Sequence, residues 1–257
     1  MKTDKNWWKH FFNDIYLTTD ARSVCNSALT KKETTLVEKT LKFKKNDSLL
    51  DLCGGSGRHS LELAKRGYCD ITVLDYSPHL VNLGRKQAKK YGLSIKFKRK
   101  DARFTGLKSS NYSAVFVMSN SFGYFQDEKD NLRILKEIYR LLKKGGKTLL
   151  DLTDPDYVRR RLKPFSWHKA DKDTTVYRNR EVKGNLIRAR EVVVSKTNGI
   201  LRDGSYCERL YNKRKIRHLL KTAGFKGISI KNNLSLHKKQ KDYGFLTQRM
   251  FVTACKS

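Results

Sequence analysis

Proline is nearly missing from this chain: Pro78, Pro155 and Pro164 are the only three in 257 residues. Repeats, low-complexity tracts and Ser/Gly linkers are also missing, and 38% of the residues are apolar. That balance excludes fibrous and disordered classes and suits one packed globular unit, or one carrying a sizeable insertion. Cysteine is sparse and scattered, at Cys25, Cys53, Cys69, Cys207 and Cys255, with no C-x-x-C pair. An odd number at such spacing argues against a zinc site or a disulfide framework, so no metal is expected. Cys53 and Cys255 lie in apolar stretches and read as small buried hydrophobes. Long apolar runs do not occur either. Ala114–Met118 is typical at five residues, against the roughly 20 that a bilayer span requires, so no membrane helix is expected.

Acidic residues are the last shortage. There are 25 Asp plus Glu against 56 Lys plus Arg, a formal charge of +31. The excess is spread along the chain, with 30 basic and 17 acidic residues up to position 155 and 26 and 8 beyond it. Such a balance suits a polyanionic partner such as nucleic acid, or simply a solvated lysine-rich surface. Near the N-terminus, Lys2 and Lys5 precede an aromatic stretch. Lys9, His10, Asn13 and Asp14 interrupt what would have to be the apolar core of a secretory signal, and a cytoplasmic location is expected.

What the chain does show is alternation. Apolar runs at Leu49–Cys53, Ile71–Leu74, Ile95–Phe97, Ala114–Met118 and Thr148–Leu152 read as strands buried on both faces. Helical spacing links them: Leu61 and Ala64 before a Lys65-Arg66-Gly67 stop, then Leu80, Val81, Gly84 and Ala88 before Gly92. A third helix runs from Asp127 through Leu135 and Ile138 to Gly145-Gly146. Strands and helices alternating in this way predict a parallel sheet with right-handed crossovers. After Asp154-Pro155 the pattern changes. Residues 165–211 read as antiparallel strands, around Val176–Tyr177, Leu186–Arg190, Glu191–Val194 and Ser205–Leu210, with turns at Lys183-Gly184-Asn185 and Asn198-Gly199. A helix at Lys213–Ala223 and strands at Gly227–Lys231 and Arg249–Ala254 complete the pattern, the strands separated by a polar loop around Lys238–Asp242.

The most informative segment is Asp51-Leu52-Cys53-Gly54-Gly55-Ser56-Gly57-Arg58-His59, a buried strand running through glycines into a helix. Glycines there let the main chain turn sharply and let a ligand approach without side chains in the way. Asp75 ends the next strand, where a carboxylate accepts hydrogen bonds from both hydroxyls of a ribose. Asp101 follows the third strand, where an adenine amino group is within reach. In an open parallel sheet all three converge at neighbouring strand ends, which points to an adenosine-type cofactor. A dinucleotide loop G-x-G-x-x-G would need a third glycine, and Ser60 stands there instead; no phosphate loop G-x-x-x-x-G-K-[ST] occurs.

On these residues the chain resembles the class I S-adenosylmethionine-dependent methyltransferases, strongly over 35–155 and by its last helix–strand–strand pattern over 213–257. The usual D-x-G-x-G-x-G motif is present except that Cys53 replaces its first glycine. The resemblance implies a Rossmann-like α/β fold with a seven-stranded, mostly parallel sheet of order 3-2-1-4-5-7-6, strand 7 antiparallel, and an antiparallel β insertion after strand 5. It implies S-adenosylmethionine as cofactor, held by Asp51, Cys53, Gly54, Gly55 and Gly57 at its methionine part, by Asp75 with Tyr76 and Ser77 at the ribose, and by Asp101 and Ala102 at the adenine. Asn120, in the turn Asn120-Ser121-Phe122-Gly123-Tyr124-Phe125, would lie where sulfonium and acceptor meet. Domain organisation follows: 1–34 an N-terminal lid or helical segment carrying Trp7, Trp8, Phe11, Phe12 and Tyr16; 35–155 and 212–257 the cofactor-binding domain; 156–211 the insertion, an acceptor-binding lid.

Methyl transfer is an in-line displacement at a carbon already activated by positive sulfur, so the protein mainly aligns the reactants and excludes water. Tyr16, Asn120 and Tyr124, with Tyr206, are the candidates for orienting an acceptor. His59 and His168 are weaker candidates for a base, because a histidine beside a glycine loop is more often structural. The three isolated prolines exclude two nucleic-acid classes: the N/D-P-P-Y/F motif of amino methylation and the Pro-Cys nucleophile of cytosine C5 methylation are both missing. The insertion is similar to that of amino-sugar and small-peptide N-methyltransferases, which implies a modest-sized acceptor methylated on nitrogen or oxygen by a monomer or homodimer. The alternatives are an RNA-modifying methyltransferase using a basic face around Arg159–Arg161 and Arg178–Arg190, a sensing module that retains only the adenosine site, and an NAD-dependent oxidoreductase.

Overall fold

The computed structural model describes residues 1–236 and 247–257; the polar loop expected around Lys238–Asp242 lies outside the described residues. Five parallel strands form one side of the larger sheet: β1 (Leu49–Leu52), β2 (Ile71–Asp75), β3 (Ile95–Arg99), β4 (Tyr112–Val117) and β5 (Leu142–Thr153). The last two strands, β10 (Lys226–Leu234) and β11 (Arg249–Cys255), complete it. Its order is β3-β2-β1-β4-β5-β11-β10, with β11 antiparallel to both neighbours, as expected.

Alternation along the strands builds a core on each face. In β4, Val115 and Val117 join one cluster with Ile134, Leu135 and Ile138 of α7 (Glu128–Leu141) and Leu220 of α9 (Lys213–Thr222). Ala114 and Phe116 turn to the other face, with Val37 of α4 (Ser27–Leu41) and Leu63 of α5 (Arg58–Lys65). Both faces of β4 are therefore dry, which is what its continuous apolar run encodes. Strand β3 differs from the expectation of burial on both faces: Phe97 is buried but Lys96, Lys98 and Arg99 are exposed. It is an edge strand, and lysines on an edge discourage pairing with another sheet.

Strand β5 starts at Leu142, six residues before the expected start at Thr148. Gly145 lies at φ 77° and the Gly145–Gly146 backbone exchanges hydrogen bonds with Lys256 (2.7 and 2.9 Å), so the glycines bend the strand instead of preceding it. One helix escaped the sequence reading, α8 (Pro155–Arg161). Asp154 accepts hydrogen bonds from the Asp156 and Tyr157 amides and Pro155 sits in the first turn, a strong start signal for a short helix.

The insertion is a four-stranded antiparallel sheet in the order β6 (Phe165–Lys169), β7 (Thr174–Lys183), β8 (Leu186–Ser195) and β9 (Gly199–Arg209). Gly184 and Gly199 supply the positive φ of its turns. The N-terminal residues form α1 (Trp8–Phe11), α2 (Asp14–Thr19) and α3 (Ala21–Val24). They are clamped from the insertion: Arg202 donates to the Phe11 carbonyl (2.8 Å) and to Asn13 Oδ1 (2.5 Å), Arg178 to Asp20 (2.9 Å), and His168 Nε2 to the Thr19 carbonyl (3.1 Å). Helix α4 runs without a break across the boundary expected at residue 34. Of the cysteines expected to be buried, Cys53 and Cys255 are only half-buried, while Cys207 is fully covered. No helix among the described residues is long and apolar enough to cross a membrane.

Candidate functional site

Strand β1 ends in a run of unusual backbone: Cys53, Gly55 and Gly57 take φ of 58°, 57° and 71°. Cys53 accepts that conformation despite its side chain. At Gly54 the limit is space, since a Cβ there would lie 2.6 Å from the Asp51 carboxyl carbon. Gly57 starts α5, and a Cβ on it would press on Phe97 at 3.0 Å. The close helix packing that a dinucleotide loop obtains from its third glycine comes here from Gly84 in α6 (Pro78–Lys90), where a Cβ would meet the Ser56 carbonyl at 2.7 Å.

Neighbouring strands bring the acids to this loop. Asp75 Oδ2 accepts from the Gly55 amide and Oδ1 from the Ser77 amide, both at 2.8 Å. Burial pushes its carboxyl above the usual range, opposed by those amides. Asp101 is gripped by Arg103, whose Nη2 lies 2.7 Å from Oδ2. The same guanidinium pairs with Asp130 at 2.9 Å and lies 4.3 Å over the Phe125 ring. Asp51 accepts from Ser60 at 2.8 Å through Oδ2, while its buried Oδ1 has no partner. Burial raises this carboxyl to about 7.

A cavity opens over these groups. Of the expected cofactor residues, Asp51, Cys53, Gly54, Gly55, Asp75, Tyr76, Asp101 and Ala102 line it, as do Tyr16 and Tyr124. Three do not. Gly57 is buried at the start of α5, and Ser77 caps α6 while donating to the Phe12 carbonyl at 2.6 Å. Asn120 lines a second, adjoining cavity. The first cavity suits an adenosine linked to an amino acid: a bare glycine strip, a carboxylate for a diol, another for an exocyclic amine, and an orphaned acceptor on Asp51 for an ammonium.

Phe12, Tyr16, Val24, Arg58, Ser119 and Tyr124 line both cavities and so form the wall between them. In the second cavity Asn120 is fixed by two bonds: Oδ1 accepts from the Thr153 amide (2.8 Å) and Nδ2 donates to Glu208 Oε2 (2.5 Å). Glu208 is 5% exposed, and burial pushes its carboxyl up to about 8. Tyr16, Tyr124 and Tyr206 have their phenols raised, chiefly by burial, and stay neutral. Arg178, expected on a basic outer face, points inward and pairs with Asp20 and Glu191; Arg190 pairs with Asp203 at 2.6 Å. The exposed basic face is correspondingly smaller than the sequence suggests.

An ion network supports this wall. Arg249, 1% exposed, holds Asp151 through Nε at 2.7 Å and Glu33 through Nη1 at 2.6 Å. Glu33 in turn holds Arg58 (2.5 Å) and His59 Nε2 (3.0 Å). Desolvation lowers His59 to about 4, so it is a neutral structural partner and not a base. His168, also lowered by burial, is spent on the Thr19 carbonyl. Sequence reasoning missed Glu33, Arg58, Arg249 and Glu208. For Glu208 a signal existed: Tyr206 and Glu208 are two apart on a strand and share one face.

Residues 49–146 match the protein family described as a methyltransferase domain. A glycine/sarcosine N-methyltransferase of Parasynechococcus marenigrum is 30% identical over 105 residues, which cover 40% of this chain and 37% of that protein. The matching stretches span between 37% and 52% of the length of the first curated relatives. Among solved structures, the CcbJ methyltransferase from Streptomyces caelestis superposes with a TM-score of 0.75 at 14% identity, covering 99% of both chains. The SAM-bound CalS10, an amino pentose methyltransferase from Micromonospora echinaspora, gives 0.67 at 17% identity over 95% of this chain and 97% of that one. The glycine loop and the strand-end acids lie within the segment that matches the methyltransferase domain, and the whole chain shares the fold of these solved methyltransferases.

Proposed function

We propose that the chain transfers a methyl group from S-adenosylmethionine to a nitrogen or oxygen of a small-molecule acceptor. The observation that carries this reading is the pair of adjoining cavities, one over the glycine loop and strand-end acids, the other polar and aromatic, separated by one shared wall. Bound in the first, S-adenosylmethionine supplies a methyl carbon made electrophilic by its sulfonium. Asp51 takes the ammonium of its methionine part, the strip from Cys53 to Gly57 gives main-chain room, Asp75 takes the ribose hydroxyls, and Asp101 with the Ala102 backbone takes the adenine. Tyr16 and Tyr124, at the shared wall, orient the acceptor, and Asn120 acts from the acceptor side. Residues 1–34 and 156–211 form the cover over the core built by 35–155 and 212–257, and Trp7 and Trp8 exclude water beneath it. A glycine/sarcosine N-methyltransferase and an amino pentose methyltransferase among its relatives support a small acceptor.

Calorimetric titration with S-adenosylmethionine, its demethylated product S-adenosylhomocysteine, and NAD tests the reading. The first two are expected to bind and NAD not. Binding of NAD in their place overturns it.

A further inference from the structure

We propose that Glu208 receives the ammonium group of an amine acceptor in the second cavity and takes its proton. The inference rests on the methyl-transfer reading and narrows the acceptor atom from nitrogen or oxygen to nitrogen.

The placement of Glu208 is built, not incidental. It lies near the end of β9, where the next residue's amide donates to the Gly123 carbonyl at 2.7 Å. Gly123, at φ 105°, lets the strand approach so closely that a Cβ would meet the Arg209 carbonyl at 2.8 Å. The turn after β4 and the last strand of the insertion are thus locked together. The Thr153 amide occupies Asn120 Oδ1, so the Asn120 NH2 must face Glu208.

The carboxylate has a neutral donor and, among the described residues, no ion pair. Of the four arginines that line the cavity, three are paired with other acids. Arg249 is held by Asp151 and Glu33, Arg58 by Glu33, and Arg178 by Asp20 and Glu191. Arg180 donates to Ser166 at 2.7 Å. The other acids of the cavity, Asp20, Glu33 and Glu191, are each paired with those arginines, leaving Glu208 as the carboxylate whose charge is unmet. A buried carboxylate without a counter-ion is costly, and glutamine would satisfy Asn120 without that cost. An arriving ammonium supplies the missing charge. Trp7, Phe12, Tyr16, Tyr124 and Tyr206 wall the same cavity, and aromatic faces stabilise a cation. Its raised carboxyl is matched to removing a proton from an ammonium; an alcohol holds its proton far too tightly for a carboxylate.

The step balances. On entry the ammonium displaces to water the proton that burial keeps on Glu208 in the empty cavity; an N–H bond of the ammonium then breaks, its proton goes to the carboxylate and its electron pair stays on nitrogen. That pair forms the new N–C bond while the C–S bond breaks with its pair going to sulfur, and the positive charge passes from sulfur to nitrogen.

Benzylamine and benzyl alcohol are suitable probes, titrated by calorimetry into the protein saturated with S-adenosylhomocysteine. Wild type is expected to bind benzylamine and not benzyl alcohol. Glu208→Gln should weaken benzylamine at least tenfold with S-adenosylhomocysteine affinity unchanged, and Glu208→Asp, which keeps the charge, should retain more affinity than the Gln variant. Equal benzylamine affinity in wild type and Glu208→Gln, or none in wild type, overturns the proposal while S-adenosylhomocysteine binding leaves methyl transfer standing. Failure of wild type to bind S-adenosylhomocysteine overturns the methyl-transfer reading itself, and this inference with it.

Discussion

Asn120 and Glu208, 88 residues apart in sequence, meet in a 2.5 Å hydrogen bond between the turn after β4 and the last strand of the insertion. The contact ties the larger sheet to the four-stranded insertion. Because Asn120 is held from below by the Thr153 amide of β5, the position of the insertion is referred directly to the central sheet. Four consequences of the site's architecture can be measured.

Asp75→Ala removes the acceptor for the Gly55 and Ser77 amides and for the ribose hydroxyls. Hydrogen bonds to a charged group contribute about 1.5–3 kcal/mol each, so S-adenosylmethionine affinity should fall roughly 10- to 100-fold. Calorimetry on a variant whose circular dichroism matches the parent checks this, and unchanged affinity removes Asp75 from the ribose site.

Asp51 gives a pH dependence whose sign is definite. An aspartate in the unfolded chain ionises near pH 4, whereas in the folded protein burial holds Asp51 at about 7. Between those values the folded chain keeps a proton that the unfolded chain has released, so this residue's contribution to stability falls as pH rises from about 4 to about 7 and is level above. Asp51→Asn should therefore gain stability over the parent across that window, on the order of a few kcal/mol by pH 8, while losing S-adenosylmethionine affinity. Urea midpoints at pH 4, 6 and 8 report it; a pH-independent difference contradicts the burial of an ionisable Asp51.

Gly84→Ala should destabilise despite replacing glycine inside a helix. Helix propensity favours alanine by about 1 kcal/mol, yet the added Cβ would lie 2.3 Å from the Phe97 ring and 2.7 Å from the Ser56 carbonyl. Overpacking of this kind costs about 1–3 kcal/mol, and here it also displaces the glycine loop. A lowered thermal midpoint together with weaker S-adenosylmethionine binding is expected, and a stabilised variant would show that α6 does not press on the loop.

Arg249→Met leaves Asp151 and Glu33 buried without their shared cation. Breaking one side of such a network costs about 3–5 kcal/mol. The triple variant that also carries Glu33→Gln and Asp151→Asn should recover part of the loss, because the uncompensated charges go with the cation. Denaturant unfolding of the single and triple variants measures both terms.

The main sheet was legible because its signals are local. Continuous apolar runs such as Ala114–Met118 encode strands covered on both sides, helical spacing at Leu135 and Ile138 encodes the crossover between them, and neighbouring parallel strands must present their carboxyl ends together. Hence Gly55, Asp75 and Asp101 were placed near one another from sequence, as the first cavity has them. Where periodicity misled, the cause was context: β3 carries strand residues but sits at an edge, so only Phe97 is buried.

The second cavity was not legible, because no local pattern states which distant groups burial will force together. Arg249 pairs with Glu33 across 216 residues, and the charge-rich stretch containing Arg178 and Arg190 is split by its strand into an inward ion pair and an outward one. Period and glycine spacing determined the sheet and the cradle for an adenosine, since both depend on neighbours in the chain. Only tertiary packing decided which carboxylates lost water and gained a guanidinium and which, like Glu208, did not, since the cost of burying a charge depends on everything folded around it.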